Sequence, residues 1–248
     1  MMKNRIALVT GASRGIGAAT AKLLASHGAA VGVNYFQSEA RAAAVVGEIR
    51  EAGGRAIAVR GDVRDESHVR AIVADVEREL GPIDTLVCNA AIGFPFKPFA
   101  DFPWSEFEAK LLGELKAAFY CCQAVLPSMV ERKAGCLIAV SSTLSRQPMP
   151  GASAHSTAKS ALDAFARSLA LELGPFGIRV NVVAPGLTET DATARQSAEM
   201  KAAAAARTPL RRIGLPEDVA GAILALASDS CGFVSGSYVA VSGGAYLA

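Results

Sequence analysis

Short apolar runs alternate with longer amphipathic stretches from one end of the chain to the other. Residues 6–9, 30–34, 56–60, 85–88, 136–140, 179–183 and 238–241 are rich in Val and Ile and bounded by Gly, Pro or Asp, which predicts strands. They are apolar throughout rather than alternating, the pattern of parallel strands covered on both faces. Between them, residues 16–27, 39–52, 66–80, 105–131, 152–173 and 216–228 place apolar residues at helical spacing. This strand–helix repetition predicts an α/β fold: one domain over residues 1–248, built on a doubly wound parallel sheet of about seven strands with helices on both faces.

One segment breaks the rhythm. Between Pro185 and Pro216 the residues are small and polar, with a single short helical patch around the alanine run at 202–206. Alanine favours helix over disorder there. A connection this long in a compact domain is usually a lid or binding loop. It leaves the carboxyl end of a strand, where open α/β sheets bind ligands, so residues 186–215 are expected to form a substrate lid.

The first strand runs directly into Thr10-Gly11-Ala12-Ser13-Arg14-Gly15-Ile16-Gly17. Glycines at such a strand–helix turn let the backbone approach a pyrophosphate, and the helix N-terminus offers free N–H groups and a positive dipole. The spacing is neither Gly-x-Gly-x-x-Gly nor a P-loop. The second strand ends Val33-Asn34-Tyr35-Phe36, with no carboxylate before Glu39, whereas NAD-specific sites usually carry an acid there. Arg14 is placed to meet a 2′-phosphate through a charge-assisted fork. NADP(H) is the expected cofactor of this Rossmann-type sheet.

A second constellation lies further on: Ser142, then His155 and Lys159 four apart, which puts the latter two on one helix face. With the glycine turn, Asp62-Val63, Asn89-Ala90-Ala91, Pro185-Gly186 with Thr188 and Thr190, residues 210–219 and Ser242-Gly243-Gly244, the chain resembles the short-chain dehydrogenase/reductase family over nearly its whole length, including members similar to 3-oxoacyl-ACP reductases. The resemblance implies that Asp62 and Val63 contact the adenine and that Asn89 and Ala90 line the cofactor. It places Pro185, Gly186, Thr188 and Thr190 at the nicotinamide carboxamide. It also implies a catalytic Ser-Tyr-Lys set, in which Tyr donates a proton to a carbonyl, Lys holds the ribose and lowers the Tyr pKa, and an Asn positions a water. Ser142 and Lys159 fit. His155 stands at the Tyr position and Glu114 at the Asn position, while Ala91 and Ser242 replace a usual Gly and Asp.

Both catalytic changes introduce titratable groups. A neighbouring ammonium at Lys159 lowers an imidazole pKa, and a neutral imidazole is a poor proton donor. Glu114 can stabilise an imidazolium, pair with Lys159, or form a surface salt bridge with Lys110 or Lys116. Three readings stay open: a ketoreductase with a modified relay, a non-redox enzyme (isomerase, dehydratase or cyclase), and a silent nucleotide-binding protein. Phe94, Phe96, Phe99, Phe102 and Trp104 form either an apolar substrate wall, to which Met149 would add, or packing for their own loop.

Composition narrows the rest. A net charge of +2 over 248 residues, without a basic stripe, excludes nucleic acid as an expected partner. No apolar run approaches a membrane span of about 18 residues. The first strand follows Met1-Met2-Lys3-Asn4-Arg5 at once, too short an apolar run for a signal peptide. Cys88, Cys121, Cys122, Cys136 and Cys231 show no CxxC pairing, which fits reduced thiols and a cytoplasmic protein. No metal site is expected. His27 and His68 fall at polar positions and are expected on the surface. Apolar and Ala-rich residues such as Ala117, Ala118, Cys121, Ala161, Phe165 and Leu169 exceed what one buried face needs, and the resemblance implies that these helices pair across two-fold axes in a homo-oligomer, a dimer or a tetramer.

Overall fold

The computed structural model describes residues 1–194 and 196–247. Strands β1 (Ile6–Val9), β2 (Ala30–Tyr35), β3 (Arg55–Arg60), β4 (Thr85–Cys88), β5 (Gly135–Val140), β6 (Ile178–Pro185) and β7 (Tyr238–Val241) form one sheet in the order β3-β2-β1-β4-β5-β6-β7. Every neighbouring pair is parallel. The expected doubly wound sheet is therefore present, with all seven strands. The largest difference is in β6, which runs on to Pro185 because Ala184 and Pro185 stay in register with Ala240 and Val241 of β7.

Helices α1 (Gly15–Ser26), α2 (Glu39–Glu51), α3 (Glu66–Glu79), α4 (Trp104–Arg132), α5 (Ser153–Leu173), α6 (Ala198–Arg207) and α7 (Pro216–Ala227) complete the chain. Two apolar cores flank the sheet. One gathers α1, α2 and α7, the other α3, α4 and α5. Along β1, Ala7 and Val9 enter the first core and Leu8 the second. The inner strands need apolar residues on both faces, which is why they do not alternate, while the edge strands β3 and β7 are partly exposed.

The strand order reverses direction between β1 and β4, so the crevice outside their carboxyl ends is where a ligand is received. The β1–α1 turn, the segment after β4, the Ser142 segment and residues 186–215 all leave the sheet at that edge. Within 186–215 the alanine run lies in α6, whose Ser197 cap accepts from the Met200 N–H; Arg195 is outside the described residues. All five cysteines are free thiols. Among the described residues no helix is long and apolar enough to cross a membrane, and no group of His, Cys, Asp and Glu is arranged for a metal ion.

Candidate active site

The turn between β1 and α1 is fixed from two sides. Gly11 has φ of 60°, and a Cβ there would fall 2.8 Å from Ala90 Cα, which only glycine avoids. Gly17 makes room for Asn89, whose Nδ2 would lie 2.5 Å from a Cβ at position 17. That amide donates to the carbonyls of Thr10 at 2.8 Å and Gly11 at 3.2 Å. Thr10 Oγ1 accepts from the N–H groups of Asn89 and Ala90 in return. From below, Asn34 Oδ1 accepts from the Gly11 N–H while its Nδ2 donates to the carbonyls of Val59 and Gly61. Asn34 is 2% exposed, so it shapes the turn from behind, and Tyr35 beside it is buried as well.

Arg14 occupies the N-cap position of α1 and makes no side-chain cap. The first N–H groups of the helix are left for an anion. Ser13 and Ile16 flank the turn, half-buried. Asp62 binds the Arg64 guanidinium through both carboxylate oxygens, with Val63 buried next to it. The start of the 186–215 segment closes on the same turn: a Cβ at Gly15 would lie 3.4 Å from Thr190 Cγ2. Thr188 Oγ1 donates to the Gly186 carbonyl, and Thr193 Oγ1 accepts from the Thr190 N–H.

The reacting end is built on α4 and α5. Lys159, 4% exposed, donates from Nζ to the Val140 carbonyl at 2.9 Å and to Glu114 Oε2 at 2.9 Å. Glu114 is 3% exposed, so of the roles open to it the pairing with Lys159 is the one present, and its bond to Lys110 is buried rather than on the surface. Its Oε1 accepts from the Ile92 N–H at 3.1 Å and from Lys110 Nζ. Lys110, 1% exposed, also donates to the Ile92 carbonyl at 2.6 Å. Gly113 allows this approach, since a Cβ there would meet Ile92 Cγ1 at 2.9 Å. Burial raises the Glu114 carboxyl pKa, and the two ammoniums outweigh that and leave it at about 2. Burial lowers Lys110 to about 8, with Glu114 opposing and Lys159 adding to the fall.

His155 lies one turn before Lys159. Its ring stacks on Phe94 with centroids 4.4 Å apart and planes 14° from parallel. Burial, then the ammoniums of Lys110 and Lys159, lower its pKa to about 3, with Glu114 opposing. The imidazole is neutral at any ordinary pH. Nδ1 is buried without a partner among the described residues. An orphaned N–H costs more than an orphaned acceptor, so the proton belongs on Nε2.

Ser142 is held by its neighbours. Its Oγ accepts from the Leu144 N–H at 3.2 Å, and its carbonyl accepts from the Tyr238 hydroxyl at 3.2 Å. That hydroxyl is also 3.3 Å from Ser145 Oγ, which donates to Asp163 Oδ2 at 2.6 Å. Asp163, buried on α5 one turn after Lys159, thus ties the Ser142 segment to the helix bearing His155 and Lys159. Burial raises its pKa against the opposing hydroxyl donors. Sequence reasoning missed Asp163 as a site residue and took Lys110 only as a surface partner. The i, i+4 spacing of 155, 159 and 163 was the available signal for Asp163.

The aromatic segment divides between its two roles. Phe94 lies on His155 and contacts Phe96 at 4.8 Å, so this pair borders the reacting position. Phe102 and Trp104 instead pack on Phe107 of α4. Phe99 and Met149 are exposed.

A family model described as enoyl-(acyl carrier protein) reductase matches residues 11–246. A cis-4-hydroxycyclohexanecarboxylate dehydrogenase of Sinomonas cyclohexanicum is 40% identical, covering 97% of this chain and 96% of its own. An L-rhamnose 1-dehydrogenase (NAD(P)(+)) of Sphingomonas sp. is 39% identical over 100% of this chain and 98% of its own. A 3-oxoacyl-(acyl-carrier-protein) reductase of Staphylococcus aureus is 36% identical over 100% of both.

Proposed function

The chain belongs to the short-chain dehydrogenase/reductase family of oxidoreductases, and on that premise we propose that it is an NADP(H)-dependent enzyme interconverting a carbonyl and an alcohol on an apolar or aromatic substrate. The observation that carries this reading is Lys159, buried and held between Val140 and Glu114 at the sheet edge where the glycine turn opens. Burying that ammonium is costly, and its place beside His155 and Ser142 lets it serve a reacting oxygen as well as a cofactor ribose.

The glycine turn fits a dinucleotide, because no side chain caps the first N–H groups of α1, and Gly11 and Gly17 let the turn pack tightly on Ala90 and Asn89 and so fix those groups at the sheet edge. Gly11, Ser13, Arg14, Gly15, Ile16 and Gly17 would hold the phosphates; Asn34 and Tyr35 shape the adenosine side, with Asp62 and Val63 at the adenine. Asn89 and Ala90 would line the cofactor, Lys159 would take the nicotinamide ribose, and Pro185, Gly186, Thr188 and Thr190 the carboxamide. NADPH supplies a hydride when bound. The remaining work falls to the chain: Ser142 Oγ and the neutral His155 Nε2–H donate hydrogen bonds to the substrate oxygen, and Lys159 Nζ holds the proton that completes the alcohol.

The same geometry weakens the non-redox reading. A general base works best with a pKa near the working pH, and His155 is held at about 3. Phe94 and Phe96 at the reacting position favour ring-bearing substrates, in keeping with the relative named for a cyclohexane alcohol. The 186–215 segment is the substrate lid of this reading, and the working form is a homo-oligomer. The test is NADPH oxidation against a panel of cyclic and aromatic ketones, quinones and aldehydes. Turnover on at least one ring ketone is expected; none on the whole panel, with NADPH bound, overturns the reading.

A further inference from the structure

Lys110, Glu114 and Lys159 form a closed ionic group between α4 and α5. One carboxylate serves two ammoniums: Oε1 takes Lys110 and Oε2 takes Lys159. All three side chains are at most 5% exposed. With both lysines protonated the group carries one unbalanced positive charge, which is costly to bury. The charged and titratable groups facing Lys110 are Glu114 on its own helix and Lys159 and His155 on α5. Its other neighbours are the Ile92 carbonyl and the Phe94 ring, whose centroid is 5.0 Å from Nζ.

We propose that Lys110 is a positioning residue of the reaction: it shares Glu114 with Lys159, so that Lys159 can release its proton while the buried carboxylate keeps a counter-ion. This rests on reading the site as one of hydride transfer to a carbonyl. A bound reduced nicotinamide would supply a hydride to the carbonyl carbon and be left oxidised and positively charged, while the C=O π pair moves onto oxygen. The proton that completes the alcohol leaves Lys159 Nζ, and water restores it. At the alkoxide stage the new anion lies against the surplus positive charge of the ionic group, and the oxidised nicotinamide carries the positive charge that keeps the total unchanged. Once the proton has moved, Lys110 and Glu114 remain as a neutral pair. Without Lys110, the same step would strand a buried carboxylate beside an uncharged amine, which is strongly disfavoured. His155 cannot take over, since its neutral ring would have to become an imidazolate.

The experiment uses the intact protein and Lys110→Met, with Lys110→Arg and Lys110→Gln as companions. The chain has three histidines, so each imidazole can be followed separately by NMR. His155 should titrate at higher pH in Lys110→Met, because one neighbouring ammonium is gone. NADPH affinity, by fluorescence titration, should change by less than about threefold, while kcat for carbonyl reduction falls at least about 100-fold, within the range of general acid catalysis. Lys110→Arg should keep the charge and recover part of kcat. An unmoved His155 signal, or a kcat within about threefold of wild type, would mean that Lys110 only packs. Should Lys110→Met not fold, Lys110→Gln answers the same two questions. If the wild type reduces no carbonyl, the hydride-transfer reading fails by itself, and the His155 titration alone decides whether Lys110 sets the charge of the site.

Discussion

Arg14 and Asp191 face each other across the gap between the glycine turn and the 186–215 segment, Nη1 lying 3.6 Å from Oδ2. Arg41, from the first turn of α2, binds the same carboxylate oxygen. Two guanidiniums therefore converge on the one carboxylate of Asp191, while the segment that follows β2 carries no acid before Glu39. A 2′-phosphate offers the two guanidiniums a larger negative charge, about −1.5 to −2 at pH 7, and three acceptor oxygens. NADPH should bind at least about tenfold more tightly than NADH, a difference of about 1.4 kcal/mol. Arg14→Ala should remove most of that preference and Arg41→Ala part of it. Fluorescence titration decides; equal affinities in the wild type would refute the assignment.

The state of His155 makes a separate prediction about stability. In the unfolded chain the imidazole takes up a proton near its ordinary 6.5; in the folded chain it does so only at about 3. Between those values the unfolded state binds more protons, so the contribution of His155 to stability is full above about pH 6.5 and falls as pH drops through the window. Glu114 acts in the same direction, but only below its ordinary 4.5. Between pH 6.5 and 5 the slope should thus be about 1 kcal/mol per pH unit from one group. His155→Phe, which keeps a ring against Phe94, should flatten it. Urea unfolding at three pH values measures this, and an equal slope in the variant would show that the ring is not held neutral.

The sheet was legible because its inner strands are buried on both faces, and continuous apolar runs between amphipathic stretches have few other solutions. Helix ends were read to within one or two residues. The ionic group was not legible. Lys110 sits in an amphipathic helix among Glu108, Lys116 and other polar residues, and periodicity reads such a lysine as solvent-facing. Burial came from the segment after β4, which bends over α4 at Gly113 and supplies both backbone groups of Ile92. The stack of Phe94 on His155 has the same origin, in a loop without periodicity. The cysteines and the glycine turn, whose constraints are local, were read more fully.

The exposed face of α4 and α5 bears on assembly. Leu112 and Phe119 are exposed, and Phe119 contacts Tyr120 and Phe165 beside Leu115, giving a shallow apolar groove. A patch of this kind is usually covered by a partner, and a two-fold axis would cover it with a second copy of itself. Light scattering should give a dimer or tetramer of the 25.5 kDa chain. Phe119→Glu should shift the mass toward the monomer. A wild-type mass equal to one chain at micromolar concentration would contradict the assignment.

Position 155 offers the strongest test of the chemistry. His155→Tyr places a phenol, with an ordinary pKa near 10, one turn from the Lys159 ammonium and against the Phe94 ring. General acid catalysis is worth about 10²–10⁴-fold, so carbonyl reduction should rise by at least tenfold even if the phenol is imperfectly aimed. Glu114→Asn in the same background should not add to the gain. It would leave Lys110 and Lys159 buried without their shared carboxylate, and removing one partner of a buried pair typically costs about 3–5 kcal/mol. Combining Glu114→Asn with Lys110→Met should recover the loss, because the two positions share one ionic group and their effects are coupled. Steady-state kinetics on the single, double and triple variants, with NADPH affinity measured in parallel, separates these outcomes. A His155→Tyr protein that binds NADPH like the wild type and still reduces no ketone would mean that the pocket admits no carbonyl, leaving a protein that binds the nucleotide without redox turnover.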